Sequence, residues 1–136
     1  MSGRVSRSTV RVRYAETDQM GVAHHAEYFA WFEVGRTDLL RQCGMTYREL
    51  EKDGLRLPVI EASARYFRPA LYDDLLEVHT EVTAVHGARV GFAYEVRRDG
   101  TEGPLATGST EHAAVDTRGR PRRLPESLRR SLACRR

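Results

Sequence analysis

The chain has 136 residues, of which 40% are hydrophobic, and this is enough to bury one core without disulfides or metals. Its formal net charge is +3. Its two cysteines, Cys43 and Cys134, are too few and too differently placed for a disulfide framework or a metal site. No segment approaches transmembrane length, and residues 1 to 13 alternate arginine with serine and valine, unlike a signal peptide. We therefore expect one cytoplasmic domain over residues 1–136 and no membrane partner.

Arginines concentrate toward both ends of the chain. Basic ends can indicate nucleic-acid binding, but neither aromatic–basic interleaving nor a groove-reading helix accompanies them. A solvated arginine-rich surface, or an anionic small-molecule substrate, fits this distribution better. The sequence thus predicts no nucleic-acid partner.

The first predicted element is a strand over residues 9 to 14, where Val10, Val12 and Tyr14 alternate with arginines. A turn follows at residues 17 to 22. Asp18 can hydrogen-bond local backbone there, and Gly21 permits dihedrals that other residues avoid.

A long helix comes next, because apolar or small residues recur at helical spacing: Tyr28, Trp31, Phe32, Gly35 and Leu39. Gly44 stands where a left-handed residue would end it. The helix is apolar over more than half its circumference, so a sheet should wrap it, with another backbone approaching Gly35. His24 and His25 lie in the loop entering the helix, where free N–H groups and the helix dipole favour a negative charge.

The rest of the chain changes from helical to strand periodicity. Thr46 and Glu49 form a capping box for a short helix over residues 45–53. Strands are predicted at 59–67, 76–84, 89–97 and 105–115, and Pro125 is expected at the first position of a final helix over 126–132. The low charge of the last strand suggests that both its faces are covered, for which a subunit partner is one explanation. This order predicts an α+β fold with one antiparallel sheet and one central helix.

The motif from Tyr14 to Val22, YAETDQMGV, followed by His25-Ala26-Glu27-Tyr28, resembles the signature of hotdog-fold acyl-CoA thioesterases. It is similar to the 4-hydroxybenzoyl-CoA thioesterase type and its bacterial short-chain acyl-CoA relatives. The pair Glu33 and Arg36 and the stretches 57–59, 66–70 and 72–74 extend the similarity over nearly the whole chain. The resemblance implies a curved antiparallel sheet around the long helix, subunits joined edge to edge, and an active site between them.

By this resemblance Asp18 is the catalytic carboxylate and the backbone N–H of His25 is the oxyanion donor, while the His25 side chain can position water or the carboxylate. The carboxylate can attack the thioester carbonyl or remove a proton from water, and both routes stay open. The implied substrate is a small aromatic or short-to-medium acyl-CoA, with no metal and no cofactor beyond the coenzyme A of the substrate. The implied assembly is a homodimer or a homotetramer.

The coenzyme A phosphates require positive charge, and three arginines lie on strands or turns that could reach a subunit cleft: Arg65, Arg68 and Arg89. Tyr14 is a further candidate for substrate binding. Each of the assigned residues also has a simpler interpretation. Asp18 can be a local turn cap, the two histidines can be polar loop residues, Glu33 and Arg36 can be a helix-face pair, and the aromatic residues of the helix can be core rather than pocket wall.

Two other functions are compatible with the residues. One is a hydratase or dehydratase of acyl thioesters on the same fold, although the aspartate–histidine motif of those relatives is not found here. The other is a non-catalytic acyl-CoA-binding protein, against which the intact Asp18 argues.

Overall fold

The structure, a computed structural model, describes residues 3–134. Within these residues five strands form one sheet: β1 Val5–Arg11, β2 Val59–Tyr66, β3 Leu75–His86, β4 Arg89–Arg98 and β5 Ala106–Ala113. Their order is β1-β3-β4-β5-β2, and every neighbouring pair is antiparallel. The helices are α1 Glu27–Gln42, α2 Tyr47–Lys52 and α3 Glu126–Ala133, and none in this part of the chain is long and apolar enough to cross a membrane. The predicted α+β arrangement is confirmed.

Helix α1 forms the centre of the core. The predicted stripe is buried, including Tyr28, Trp31, Phe32 and Gly35. The close approach at Gly35 is to side chains of β3 rather than to another backbone, since a Cβ there would meet the Thr80 hydroxyl. A larger residue at position 35 would therefore push α1 away from the sheet.

The prediction for the first strand is wrong at both ends. β1 already begins at Val5, because its early inward positions are Ser6 and Ser8, whose small polar side chains give no hydrophobic signal. It ends at Arg11, and Tyr14 begins a single 3-10 turn, Tyr14–Glu16, instead of facing the core. Tyr14 is consequently 78% exposed.

The shorter helices follow their local signals. The capping box of α2 is present: the Thr46 hydroxyl accepts from the Glu49 N–H, and the Glu49 carboxylate accepts from the Thr46 N–H, both at 3.1 Å. Pro125, expected at the first helical position, is instead the N-cap residue of α3, because its ψ of 140° is extended. Its carbonyl accepts the first helical hydrogen bond, from Arg129.

Strand β2 is one edge of the sheet and, among the strands of residues 3–134, pairs with β5 alone. It ends one residue before the predicted Phe67, because the N–H groups of Phe67 and Arg68 both turn to the carbonyl of Leu105. On the neighbouring β5 one face is covered within the single chain, while Ser109 on the outer face is exposed. Cover of that outer face by a subunit partner stays a prediction.

Candidate active site

Asp18 sits in the turn of a small hairpin formed by residues 17–23. Thr17 pairs with Ala23 as an antiparallel bridge, and the Asp18 N–H donates to the Val22 carbonyl at 2.8 Å. Gly21 closes the turn at a φ of +80°, as predicted. The Asp18 Oδ1 accepts from the N–H groups of Met20, at 2.8 Å, and Val22, at 3.3 Å. Oδ2 accepts no hydrogen bond from residues 3–134, so one oxygen caps the turn while the other is available to a ligand.

The hairpin is joined to the core by Glu16, a carboxylate that is only 6% exposed. Its Oε1 accepts from the Arg13 N–H at 2.8 Å, and its Oε2 accepts from the indole N–H of Trp31 at 3.2 Å. The Glu16 carbonyl also accepts from the His24 N–H at 2.8 Å. Sequence reasoning missed this role, because an acidic residue in a polar motif carries no signal of burial.

The start of α1 leaves one backbone donor unused beside this hairpin. The His24 carbonyl accepts from the Glu27 N–H at 3.0 Å. In a planar trans peptide the N–H points opposite to the C=O, so the His25 N–H is directed away from the helix body. That N–H donates no hydrogen bond within the part of the chain that the structure describes. It therefore matches the site predicted for an oxyanion donor, at the positive end of the helix dipole.

A cavity of about 380 Å³ opens beside His25 and is lined by Ala23, His25, Tyr28, Tyr66, Phe67, Arg68 and Pro69. The Tyr66 hydroxyl donates to the His25 carbonyl at 2.9 Å, and its ring stands edge-on to that of Tyr28, with centroids 4.9 Å apart. Burial raises the pKa of both phenols, so each keeps its proton at neutral pH. The sequence did not predict this role of Tyr66, because strand alternation indicates which face of the sheet it lies on but not that its hydroxyl contacts His25.

A loop over residues 69–74 supports the second arm of the hairpin. Ala70 accepts from the Ala23 N–H at 2.8 Å and donates its own N–H to the Tyr28 hydroxyl at 3.3 Å. The loop is closed by Arg98, whose Nη1 lies 2.6 Å from the Asp74 carboxylate. Tyr28 thus combines a core position with a polar contact next to the cavity.

The predicted substrate-binding residues are not all brought together. Arg68 lines the cavity with His25, and its Nη1 donates to the Glu102 carbonyl at 2.9 Å. Arg65 precedes Tyr66 on β2, and strand alternation places it on the opposite face of the sheet. Arg89 begins β4. Val96, seven residues later, pairs with Ala106, which in turn pairs with Tyr66, so Arg89 lies about 24 Å along the strand from the Tyr66 end of the sheet.

The two remaining candidates belong to the segment that precedes α1. Asp18 and Tyr14 do not line it within this chain. The Tyr14 ring stands edge-on to Tyr72, with centroids 5.6 Å apart, and its carbonyl accepts from the Thr17 hydroxyl and N–H. Asp18 and His25 are nevertheless carried by one hairpin–helix unit, which fixes their separation along the chain.

With this geometry established, similarity to known proteins identifies the family. The sequence model of the thioesterase-like superfamily matches residues 12–132. The chain belongs to that superfamily. It is 38% identical over 112 residues to the putative acyl-CoA thioesterase YneP of Bacillus subtilis, covering 82% of this chain and 80% of YneP. It is 34% identical over 96 residues to the acyl-CoA thioester hydrolase YbgC of Escherichia coli, covering 71% of this chain and 72% of YbgC.

Among solved structures, the DHNA-CoA thioesterase of Staphylococcus aureus superposes with a TM-score of 0.85 at 34% identity, covering 89% of this chain and 81% of that one. The predicted family, the hotdog fold and the enzyme class, a thioester hydrolase, are confirmed. The roles of the individual site residues stay predictions.

Proposed function

We propose that this thioesterase hydrolyses acyl-CoA thioesters, with small aromatic or short-to-medium acyl groups as substrates. The main support for this proposal is that the unpaired N–H of His25, at the start of α1, lies on the same hairpin–helix unit as the unpaired Oδ2 of Asp18. Acyl-CoA is the substrate class named for YneP and YbgC.

The proposed reaction places the two groups on either side of the thioester carbonyl. Attack on the carbonyl carbon moves charge onto its oxygen, and the His25 N–H stabilises that charge where it develops. Asp18 supplies the other half, either as the nucleophile that forms a mixed anhydride or as the base that takes a proton from the attacking water. The C–S bond then breaks and coenzyme A leaves. In the base route the attacking water has already formed the free acid, and the proton taken by Asp18 passes to the thiolate. In the nucleophilic route a water hydrolyses the mixed anhydride, which regenerates the Asp18 carboxylate, releases the free acid and supplies the proton for the thiolate. These steps require no cofactor beyond the coenzyme A of the substrate.

The proposed active species is a homodimer joined through β2. Within residues 3–134 this edge strand has no partner on its outer side, and its apolar residues are uncovered: Val59 is 46% and Ile60 47% exposed. An unpaired apolar edge is a surface that proteins cover. Antiparallel pairing of two β2 strands would also bring the far end of the partner's sheet toward the cavity at Tyr66, which is how Arg89 could reach bound coenzyme A.

Assembly of two such dimers into a homotetramer and a cytoplasmic location stay predictions. Mass measured in solution at the assay concentration tests the dimer directly. A fully active monomer would refute a shared site.

The function is tested by incubating the protein with aromatic, short-chain and long-chain acyl-CoA in the presence of a thiol reagent. Release of free coenzyme A together with free acid is the expected result. A hydrated or dehydrated acyl-CoA product would indicate the hydratase or dehydratase alternative. Saturable binding without turnover would indicate a non-catalytic binding protein.

A further inference from the structure

The peptide unit between His25 and Ala26 is held at both of its polar ends. Its C=O accepts from the Tyr66 hydroxyl at 2.9 Å, and its N–H donates to the His24 Nδ1 at 3.2 Å. The two side chains come from different elements, because Tyr66 ends the edge strand β2 whereas His24 belongs to the loop before α1. Both therefore hold the peptide that directly follows the unpaired N–H.

We propose that Tyr66 and His24 are positioning residues that clamp the His25–Ala26 peptide and so keep the His25 N–H directed at the substrate carbonyl. This inference rests on the proposed thioesterase function. The clamp opposes rotation of the peptide about its flanking dihedrals, since rotation would break both hydrogen bonds at once. Rotation there would also change the ψ of His25 and the path of the chain into the helix.

Backbone hydrogen bonds of His24 to Glu16 and Glu27 hold the residues before this peptide, but the usual side-chain cap of a helix start is missing. Ala26 is the N-cap residue of α1, and an alanine supplies no side-chain cap. The His24 ring takes over that task by accepting from an N–H two residues ahead, as asparagine does in an Asx turn. The ring also stacks on His25, with centroids 4.3 Å apart. In the ring tautomer that makes this hydrogen bond, Nδ1 is the acceptor and Nε2 carries the proton.

The clamp predicts a specific kinetic pattern. Tyr66→Phe and His24→Ala should each lower kcat about five- to tenfold, the effect of one lost hydrogen bond on a positioned donor. KM should stay within about twofold, because the Phe ring still lines the cavity and the clamped peptide acts on the transition state more than on the bound substrate. His24→Asn should restore kcat to within about twofold, since the amide oxygen can accept the same N–H.

The double variant Tyr66→Phe/His24→Ala distinguishes a clamp from two separate effects. Both side chains restrain one peptide, so the combined loss in kcat should be clearly smaller than the product of the single losses. Tyr47→Phe is a matched control, because the Tyr47 hydroxyl also holds backbone, accepting from the Leu57 N–H at 3.4 Å, away from this site. His86→Ala, at the exposed end of β3, is the control for His24. Neither control should change kcat.

Several results would overturn the proposal. These are single variants with wild-type kcat, losses that multiply independently, or a His24→Phe variant that restores activity better than His24→Asn, which would assign the effect to ring stacking. Thermal unfolding of each variant separates a lost clamp from a lost fold, because the clamp variants should match the controls in Tm. An inactive wild type would instead remove the proposed function, and the two failures are therefore distinguishable.

Discussion

Two polar regions of this molecule use histidine in opposite ways. At the start of α1, His25 is exposed beside a cavity and leaves its N–H unpaired. On β5, His112 is 1% exposed and uses both ring nitrogens: Nδ1 lies 3.0 Å from the Leu57 carbonyl and Nε2 lies 2.8 Å from the Thr110 hydroxyl. The Tyr94 hydroxyl continues this network, 2.6 Å from the same Thr110 oxygen.

The buried network can be assigned a direction. A carbonyl only accepts, so the single proton of a neutral His112 lies on Nδ1 and points to Leu57. Nε2 must then accept from Thr110, whose oxygen accepts in turn from Tyr94. All three side chains are satisfied internally, as burial demands. The contrast between the two histidines is that the unpaired N–H of His25 lies where a substrate can supply its partner, whereas the buried ring of His112 is satisfied by the protein itself.

The strongest test of this contrast is Asp18→Asn. The amide oxygen can still accept from Met20 and Val22, so the hairpin should fold, but an amide is neither base nor nucleophile. We expect kcat to fall at least about 100-fold, with unfolding free energy almost unchanged. Steady-state turnover and denaturant unfolding measure the two quantities. If the activity stayed within a few fold of wild type, Asp18 would not be catalytic and its role would be to cap the turn.

In the buried region the matching test is Thr110→Val, which keeps the shape and removes the hydroxyl. It leaves His112 Nε2 without its donor and Tyr94 without its acceptor. The expected cost is about 2 to 3 kcal/mol of unfolding free energy, with kcat per folded molecule within about twofold. Denaturant unfolding with parallel assays decides this. A large loss of kcat in a stable variant would show that the network acts on catalysis.

The two regions also differ in how far sequence could predict them. The turn at Asp18 and the entry to α1 were predictable, because Gly21 and the spacing of the helix stripe act locally. The roles of Tyr66 and Glu16 were not, since each depends on a partner brought near by the fold: Tyr66 meets a residue 41 positions away and Glu16 meets Trp31. The start of β1 was missed for a related reason, because Ser6 and Ser8 are buried by the closeness of α1 rather than by their own hydrophobicity.

Burial gives the His112 network a pH dependence. Desolvation lowers the pKa of His112, the Leu57 carbonyl partly opposes this, and the positive charge of Arg36 adds to the lowering. In the unfolded chain histidine has a pKa of about 6.5. Near and below that pH the unfolded chain therefore binds more protons than the folded one. Stability is full above that pH and is lost as pH falls below it, by up to about 1.4 kcal/mol per pH unit.

Denaturant unfolding between pH 5 and pH 8 measures this slope. His112→Gln, which cannot titrate, should flatten the acid side of the curve, although the protein becomes less stable overall. His86→Gln replaces an exposed histidine and should leave the slope unchanged. An equal slope in wild type and His112→Gln would assign the acid loss to other groups.

The smallest expected effect concerns Arg68, which lines the cavity beside His25. If its guanidinium contacts a coenzyme A phosphate, Arg68→Ala should raise KM about three- to tenfold with little change in kcat, because the phosphates are remote from the breaking bond. The wild-type KM should rise with salt, and the variant should lose most of that dependence, since screening acts on the charge that was removed. Arg65→Ala is the matched control, because strand alternation places Arg65 on the other face of the sheet. Equal effects of the two substitutions would point to general surface charge, whereas an effect of Arg65 alone would place the phosphates on the outer face, away from the cavity.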